Sequence, residues 1–90
     1  MSDLGAAERI WHDWIVDACT AVDVAPESVN VQMIHGLTKR IAHKFERPMA
    51  PVGAFILGLA LGEHPDADLV QLRAAIEDTM HQHARESQEP

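Results

Sequence analysis

The sequence predicts an all-α protein, folded as a compact antiparallel bundle of about four helices with a central apolar third helix. Apolar residues recur at spacings of three and four in three separate segments, which is the periodicity of a helix with one buried face. Val, Ile and Thr do not form the alternating runs that are typical of strands. Because 47% of the residues are hydrophobic but only 4% are aromatic, aliphatic side chains have to form most of the core.

The length of the chain predicts one domain. A chain of 90 residues forms a single small core, which has to be apolar and well packed to stabilise the fold. We predict a single helical domain over residues 1–90, with helices at about 4–22, 31–47, 51–61 and 66–85 and a disordered tail at 86–90.

The first two helices are predicted from apolar spacing and from their ends. In the first helix, Cys19 lies on the apolar side, Trp14 is the better core candidate of the two tryptophans, and Trp11 shields the edge of the bundle. The second helix begins after Asn30, which is a good N-cap residue. It ends before Pro48, because the residue that precedes a proline is pushed away from helical angles.

The third helix has no polar side chain on any face, so we expect it to be central or covered by a partner. Gly36 in the second helix indicates a close contact with another helix, because glycine costs a helix about 1 kcal/mol relative to alanine. Asp66 or Asp68 is the predicted N-cap of the fourth helix. These patterns predict that the following residues are buried: Trp14, Ile34, Leu37, Ile41, Phe45, Phe55, Ile56, Leu59, Leu72 and Ile76.

The charge of the chain argues against several classes of partner. The formal net charge is −7, and a negative field repels phosphate backbones, so we expect neither nucleic acid nor a membrane as a partner. The chain has one cysteine, which excludes a disulfide within the chain, and its N-terminus lacks the pattern of a secretory signal. Residues 52–61 are apolar but too short to span a bilayer. We therefore expect a cytoplasmic protein.

The sequence supplies little material for catalysis or for metal binding. Glu8 and His12, and Glu77 and His81, have the i, i+4 spacing of a ligand pair, but two-ligand pairs of this kind arise by chance on acidic helices. We expect the six histidines to be solvated, with no metal site and no cofactor. No nucleophile lies near a base in any recognisable pattern, so we expect no enzyme and assign no catalytic residue.

The junction of the second and third helices is the candidate anion- or partner-binding site. Its residues are His43, Lys44, Arg47, Val52 and Gly53. The N–H groups at the start of a helix carry a partial positive charge that attracts anions, and the basic side chains could flank the same point. A structural explanation competes with this hypothesis, in which Arg47 holds a neighbouring helix and His43 forms a hydrogen bond across the turn.

Three segments resemble a known family. They are Trp-His-Asp-Trp at 11–14, Ala-His-Lys-Phe-Glu-Arg-Pro-Met-Ala-Pro at 42–51 and Gly-Leu-Ala-Leu-Gly at 58–62. In this order they are similar to an uncharacterised family of short bacterial helical domains of unknown function. Some members of that family are appended to nucleotidyltransferases that add guanylate to molybdopterin. The resemblance spans most of residues 8–64, assigns no catalytic role, and treats residues 66–90 as generic helix.

Three functions follow from these observations. The first is a non-catalytic accessory or protein-interaction module, which the resemblance links to molybdenum-cofactor biosynthesis and to a nucleotidyltransferase of that pathway as partner. A homodimer is a second predicted assembly, since a symmetric dimer is the commonest way to cover an apolar helix. The alternative is a small anion- or nucleotide-binding domain that uses the basic junction. The third predicted function is an enzyme that needs a partner to complete its active site.

Overall fold

A computed structural model describes the backbone of residues 2–88 and the side chains of residues 5–83. Within residues 2–88 no strand is present, and the all-α class is confirmed. The four α-helices are α1 (Ser2–Ala21), α2 (Val31–Lys44), α3 (Ala50–Glu63) and α4 (Leu69–Gln88). Two short 3-10 turns, Pro26–Ser28 and Arg47–Met49, precede α2 and α3.

The helix boundaries differ from the prediction mainly at three places, namely the end of α2 and both ends of α4. Helix α2 ends at Lys44, and the 3-10 turn Arg47–Met49 begins where the sequence predicts the last residue of that helix. Helix α4 begins at Leu69, three residues after its predicted start, and continues to Gln88, three residues beyond its predicted end. Residues 89–90 lie outside the described residues, and the disordered tail at 86–90 stays a prediction. No glycine or proline interrupts α4, which explains why nothing stops it at residue 85.

Two helix ends have well-defined caps. The Oδ1 atom of Asp68 accepts a hydrogen bond of 2.9 Å from the N–H of Val70, which confirms Asp68 as the N-cap of α4. At the end of α1, the N–H of Val24 donates to the carbonyl of Cys19 at 2.8 Å. Asp23 lies in the left-handed region with a φ of 61°, so it fills the position that glycine usually takes in this type of helix end.

The chain divides into two compact units, Met1–Val31 and Gln32–Pro90. The prediction of a single domain over residues 1–90 stays a prediction. In the first unit, Cys19 is buried, as its place on the apolar side of α1 predicts. The prediction that Trp14 is buried is wrong, because its side chain is 69% exposed and exceeds the exposure of Trp11. One helix and one short turn cannot cover two indole rings.

The core of the second unit is formed by α2, α3 and α4. Its buried residues are Leu37 and Ile41 from α2, Leu57 from α3 and Met80 from α4. Burial is thus confirmed for Leu37 and Ile41, whereas Ile34 is only partly buried. Partly buried apolar residues surround this cluster: Ala50, Leu61, Leu69, Leu72 and Ile76.

Helix α3 departs most from the predicted burial. It contributes Leu57 and Gly53 to the interior, but Phe55, Ile56 and Leu59 are exposed, so the prediction that these three are buried is wrong. The prediction is also wrong for Phe45, which lies just beyond α2 and is exposed. A helix that is apolar on every face does not reveal from its sequence which face packs inward, and here the face that carries Leu57 does.

Candidate functional site

The exposed side of α3 is a continuous apolar surface, which we call the α3 face. It consists of Val52, Phe55, Ile56 and Leu59, whose exposed fractions are 44%, 66%, 48% and 47%. These residues are three or four apart or adjacent, so they lie on one side of the helix. Leu57, by contrast, is only 2% exposed. The same helix therefore packs with one side and presents four large apolar side chains with the other.

The buried side of α3 depends on Gly53. Gly53 is buried, and a Cβ atom built on it would overlap the Cδ1 methyl of Ile41. Gly53 therefore leaves the space that the Cδ1 methyl of Ile41 occupies. Gly58 and Gly62 differ, because a Cβ atom on either would meet nothing within 4 Å. Packing within the described part of the chain therefore does not explain why these two positions are glycine.

The basic residues of the candidate site lie at the junction between α2 and α3. His43 and Lys44 are in the last turn of α2, where positive charge is favoured by the helix dipole. Arg47 begins the 3-10 turn that leads into α3 and that contacts α3. All three residues are exposed. Among the side chains of residues 5–83, Arg47 and His43 have no hydrogen-bonding or ion-pairing partner, so the structural explanation for this pair finds no support.

The start of α3 is continuous with the preceding turn. The N–H of Met49 donates to the carbonyl of Glu46 at 3.0 Å, and the N–H of Ala50 donates to the carbonyl of Arg47. Gly53, which the sequence places in the candidate anion site, is buried and packs against Ile41. The anion site at this junction stays a prediction.

Sequence reasoning missed a polar cluster between α2 and α4. The Oε2 atom of Glu77 accepts a hydrogen bond from Nε of Arg73 at 2.8 Å and lies 3.3 Å from Nε of Arg40. Nη1 of Arg73 also donates to the sulfur of Met33 at 3.3 Å. A Cβ atom on Gly36 would lie 2.9 Å from Nη1 of Arg73, so Gly36 provides the space for this guanidinium group. The i, i+4 spacing of Arg73 and Glu77 was the available signal.

We expect Glu77→Gln to lower the free energy of unfolding by about 1–2 kcal/mol, because the partly buried acceptor of the Arg73 hydrogen bond loses its charge and a neutral amide oxygen makes a weaker bond. Arg40, whose side chain is 44% exposed, adds little to this figure since water screens its charge. Asp78→Asn is the matched control, because Asp78 is adjacent, exposed and loses the same charge. Urea denaturation of the two variants tests the prediction, and equal stabilities would contradict it.

The histidine pairs do not converge with further ligands in the part of the chain that the structure describes. Among residues 5–83, no group of three or more His, Cys, Asp or Glu side chains could hold a metal ion. The carboxylate of Glu77, which is one member of a candidate pair with His81, is bound to Arg73 instead. Among the described helices, none has both the length and the apolarity needed to cross a bilayer.

Comparison with known proteins shows the family of the chain. No curated protein and no solved structure shows a significant match to the chain. A family model described as "Domain of unknown function (DUF6457)" matches residues 6–89. The match includes the fourth helix, so the view that residues 66–90 lie outside the shared pattern is wrong. Because the match covers nearly the whole sequence, the chain belongs to the DUF6457 family of domains of unknown function.

Proposed function

We propose that the chain is a non-catalytic protein-interaction module and that the α3 face is its binding surface. The observation that carries the proposal is the exposure of Phe55, which is 66% accessible and lies beside three exposed aliphatic residues, Val52, Ile56 and Leu59. The largest apolar patch on a monomeric protein is typically about 300–600 Å2 and is often a functional surface. Aromatic side chains at the centre of an apolar patch are also typical of residues that dominate binding energy.

The surroundings of the α3 face support a binding role. Lys44 and Arg47 are exposed before its N-terminal end, and Glu63 and Asp66 are exposed beyond its C-terminal end. An apolar centre with polar residues at its edges is the usual composition of a protein–protein interface. The charged edges would orient a partner, while the apolar centre would supply most of the affinity.

The partner that we propose on the resemblance is a nucleotidyltransferase of molybdenum-cofactor assembly. What supports it is the similarity of residues 42–51 and 58–62 to domains that are appended to such enzymes. Both segments border or include the α3 face, so two of the three segments that carry the resemblance lie next to the proposed surface. We further propose a cytoplasmic location, which a single buried cysteine supports, since disulfide-rich chains mark oxidising compartments.

A binding experiment with matched variants tests the proposed function. The full chain is immobilised as wild type, as Phe55→Glu and as Val70→Glu, and each is exposed to a purified nucleotidyltransferase of this class and to cell extract. Val70 is 60% exposed on α4 and serves as the control for adding a charge to an apolar surface position. We expect Phe55→Glu to lower specific binding at least about 10-fold, while Val70→Glu leaves it unchanged. If all three chains retain the same proteins equally, the proposal is wrong.

A further inference from the structure

We propose that the α3 face binds a second copy of this chain, whose α3 lies antiparallel to the first. This inference rests on the proposed function, because it takes the α3 face as a protein-binding surface and identifies the occupant. Three properties of the second unit carry it: the spacing of the exposed residues, the distribution of charge at the two ends of α3, and the position of Gly62.

The exposed residues of α3 have the spacing of a helix–helix seam. Val52, Phe55, Leu59 and Gly62 follow one another at intervals of three, four and three residues, and all are exposed. This is the spacing of the positions through which two α-helices pack side by side. Helix α3 has 14 residues, so the seam extends over about 20 Å. A second α3 matches it in length and in composition.

The charges at the ends of α3 favour the antiparallel direction. The segment before α3 carries exposed Lys44 and Arg47 against one acid, Glu46, whereas the segment at its other end carries exposed Glu63 and Asp66. In an antiparallel pair, the basic end of each copy lies beside the acidic end of the other. A parallel pair would place like charges together, which is unfavourable. The antiparallel direction also aligns the two helix dipoles favourably.

Gly62, which has open surroundings, sets the register. A two-fold axis level with the middle of α3 pairs Phe55 with Leu59 of the second copy and Val52 with Gly62 of the second copy. A large side chain thus lies opposite a small one at one of the two levels. Within the described side chains, nothing comes within 4 Å of a Cβ atom on Gly62, so it leaves room for a residue from outside this copy.

The area of the α3 face predicts a weak dimer. Four half-exposed apolar side chains offer about 300–400 Å2 per copy, so the pair buries less than the ~1,200 Å2 of a stable interface. We therefore expect a dissociation constant of about 0.01–1 mM. Association of this strength is a concentration-dependent equilibrium, and the monomer remains available to a heterologous partner at low concentration.

Sedimentation velocity and light scattering of the full chain, from about 5 µM to about 1 mM protein, test the inference. We expect the wild type and Val70→Glu to shift from monomer to dimer over this range. Phe55→Glu and Leu59→Gln should remain monomeric, with the helical circular dichroism of the wild type. Charge-reversal variants test the antiparallel direction of the two helices. Arg47→Glu and Asp66→Lys should each weaken the dimer about 3-fold or more at low salt, and the double variant should restore the affinity of the wild type.

Three results would overturn the inference. If the wild type stays monomeric at about 1 mM, the α3 face does not bind a second copy. If Phe55→Glu still forms the dimer, the two copies contact each other through another surface. A dimer that Phe55→Glu abolishes but that the Arg47→Glu and Asp66→Lys double variant fails to restore contradicts the antiparallel direction. None of these outcomes decides the proposed function, which the binding experiment with Phe55→Glu and Val70→Glu tests separately. If the wild type is monomeric but Phe55→Glu still abolishes binding of another protein, the surface is correct and the occupant is not.

Discussion

We expect Leu57→Ala to lower the free energy of unfolding by about 2–5 kcal/mol, because it truncates a leucine at the centre of the core. Leu57 is 2% exposed and packs against Leu37, Ile41 and Met80 in the core of the second unit. Truncation removes the transfer free energy of the side chain and leaves a cavity that the three helices fill only in part. Urea denaturation monitored by circular dichroism at 222 nm measures the loss, which is a large fraction of the stability of a domain this small.

Leu59→Ala is the matched control for Leu57→Ala. The two leucines are two residues apart on the same helix, but Leu59 is 47% exposed and belongs to the α3 face. At a few micromolar protein, where we expect the monomer, Leu59→Ala should change the stability by less than about 1 kcal/mol. A loss from Leu59→Ala equal to that from Leu57→Ala would show that both sides of α3 are buried within one chain.

We expect Gly53→Ala to lower the free energy of unfolding by about 1–3 kcal/mol, because the new methyl group overpacks the core. The loss should appear although alanine favours a helix interior by about 1 kcal/mol relative to glycine. The cause is steric, since a Cβ atom at Gly53 would overlap the Cδ1 methyl of Ile41, which is itself buried. Gly58→Ala is the control, because its Cβ atom meets nothing within 4 Å, and it should raise the stability of the monomer.

A double-mutant cycle identifies Ile41 as the cause of the loss. Ile41→Val deletes the Cδ1 methyl and alone should cost about 0.5–1.5 kcal/mol. In combination with Gly53→Ala, the deleted methyl leaves space for the added one, so the double variant should be more stable than Gly53→Ala alone. We expect a favourable coupling energy of about 1 kcal/mol or more from denaturation of the four proteins. Additive effects would mean that Gly53 and Ile41 do not share this space.

The amphipathic helices are the parts of the fold that local pattern predicts well. Leu37 and Ile41 lie on the apolar side of α2 and are buried, and Asp68 caps α4 through a hydrogen bond to the backbone. In these cases the determining information lies within one or two helical turns. The end of α4 is predicted less well, because the helix continues to Gln88 through polar residues that have adequate helix propensity.

The candidate surface could not be predicted, because helix α3 has the same polarity on every side. Its sequence contains no periodicity that distinguishes Leu57 from Leu59, and the choice depends on the fit of Gly53 against Ile41 from another helix. The size of Trp14 favours a place in the core, although its own unit offers no surface large enough to cover it. The cluster around Glu77 likewise depends on Arg40 from a distant part of the chain.

The proposed binding surface requires that α3 packs with one side and leaves the other exposed in the monomer. Nuclear magnetic resonance with a soluble paramagnetic agent measures this directly, because the agent broadens the signals of side chains that it can approach. In dilute protein, we expect strong broadening for Phe55 and Leu59 and little for Leu57, in line with exposed fractions of 66%, 47% and 2%. At high protein concentration, or with a bound partner, the signals of Phe55 and Leu59 should be protected. Protection of Leu59 equal to that of Leu57 in the dilute monomer would contradict this division of the helix.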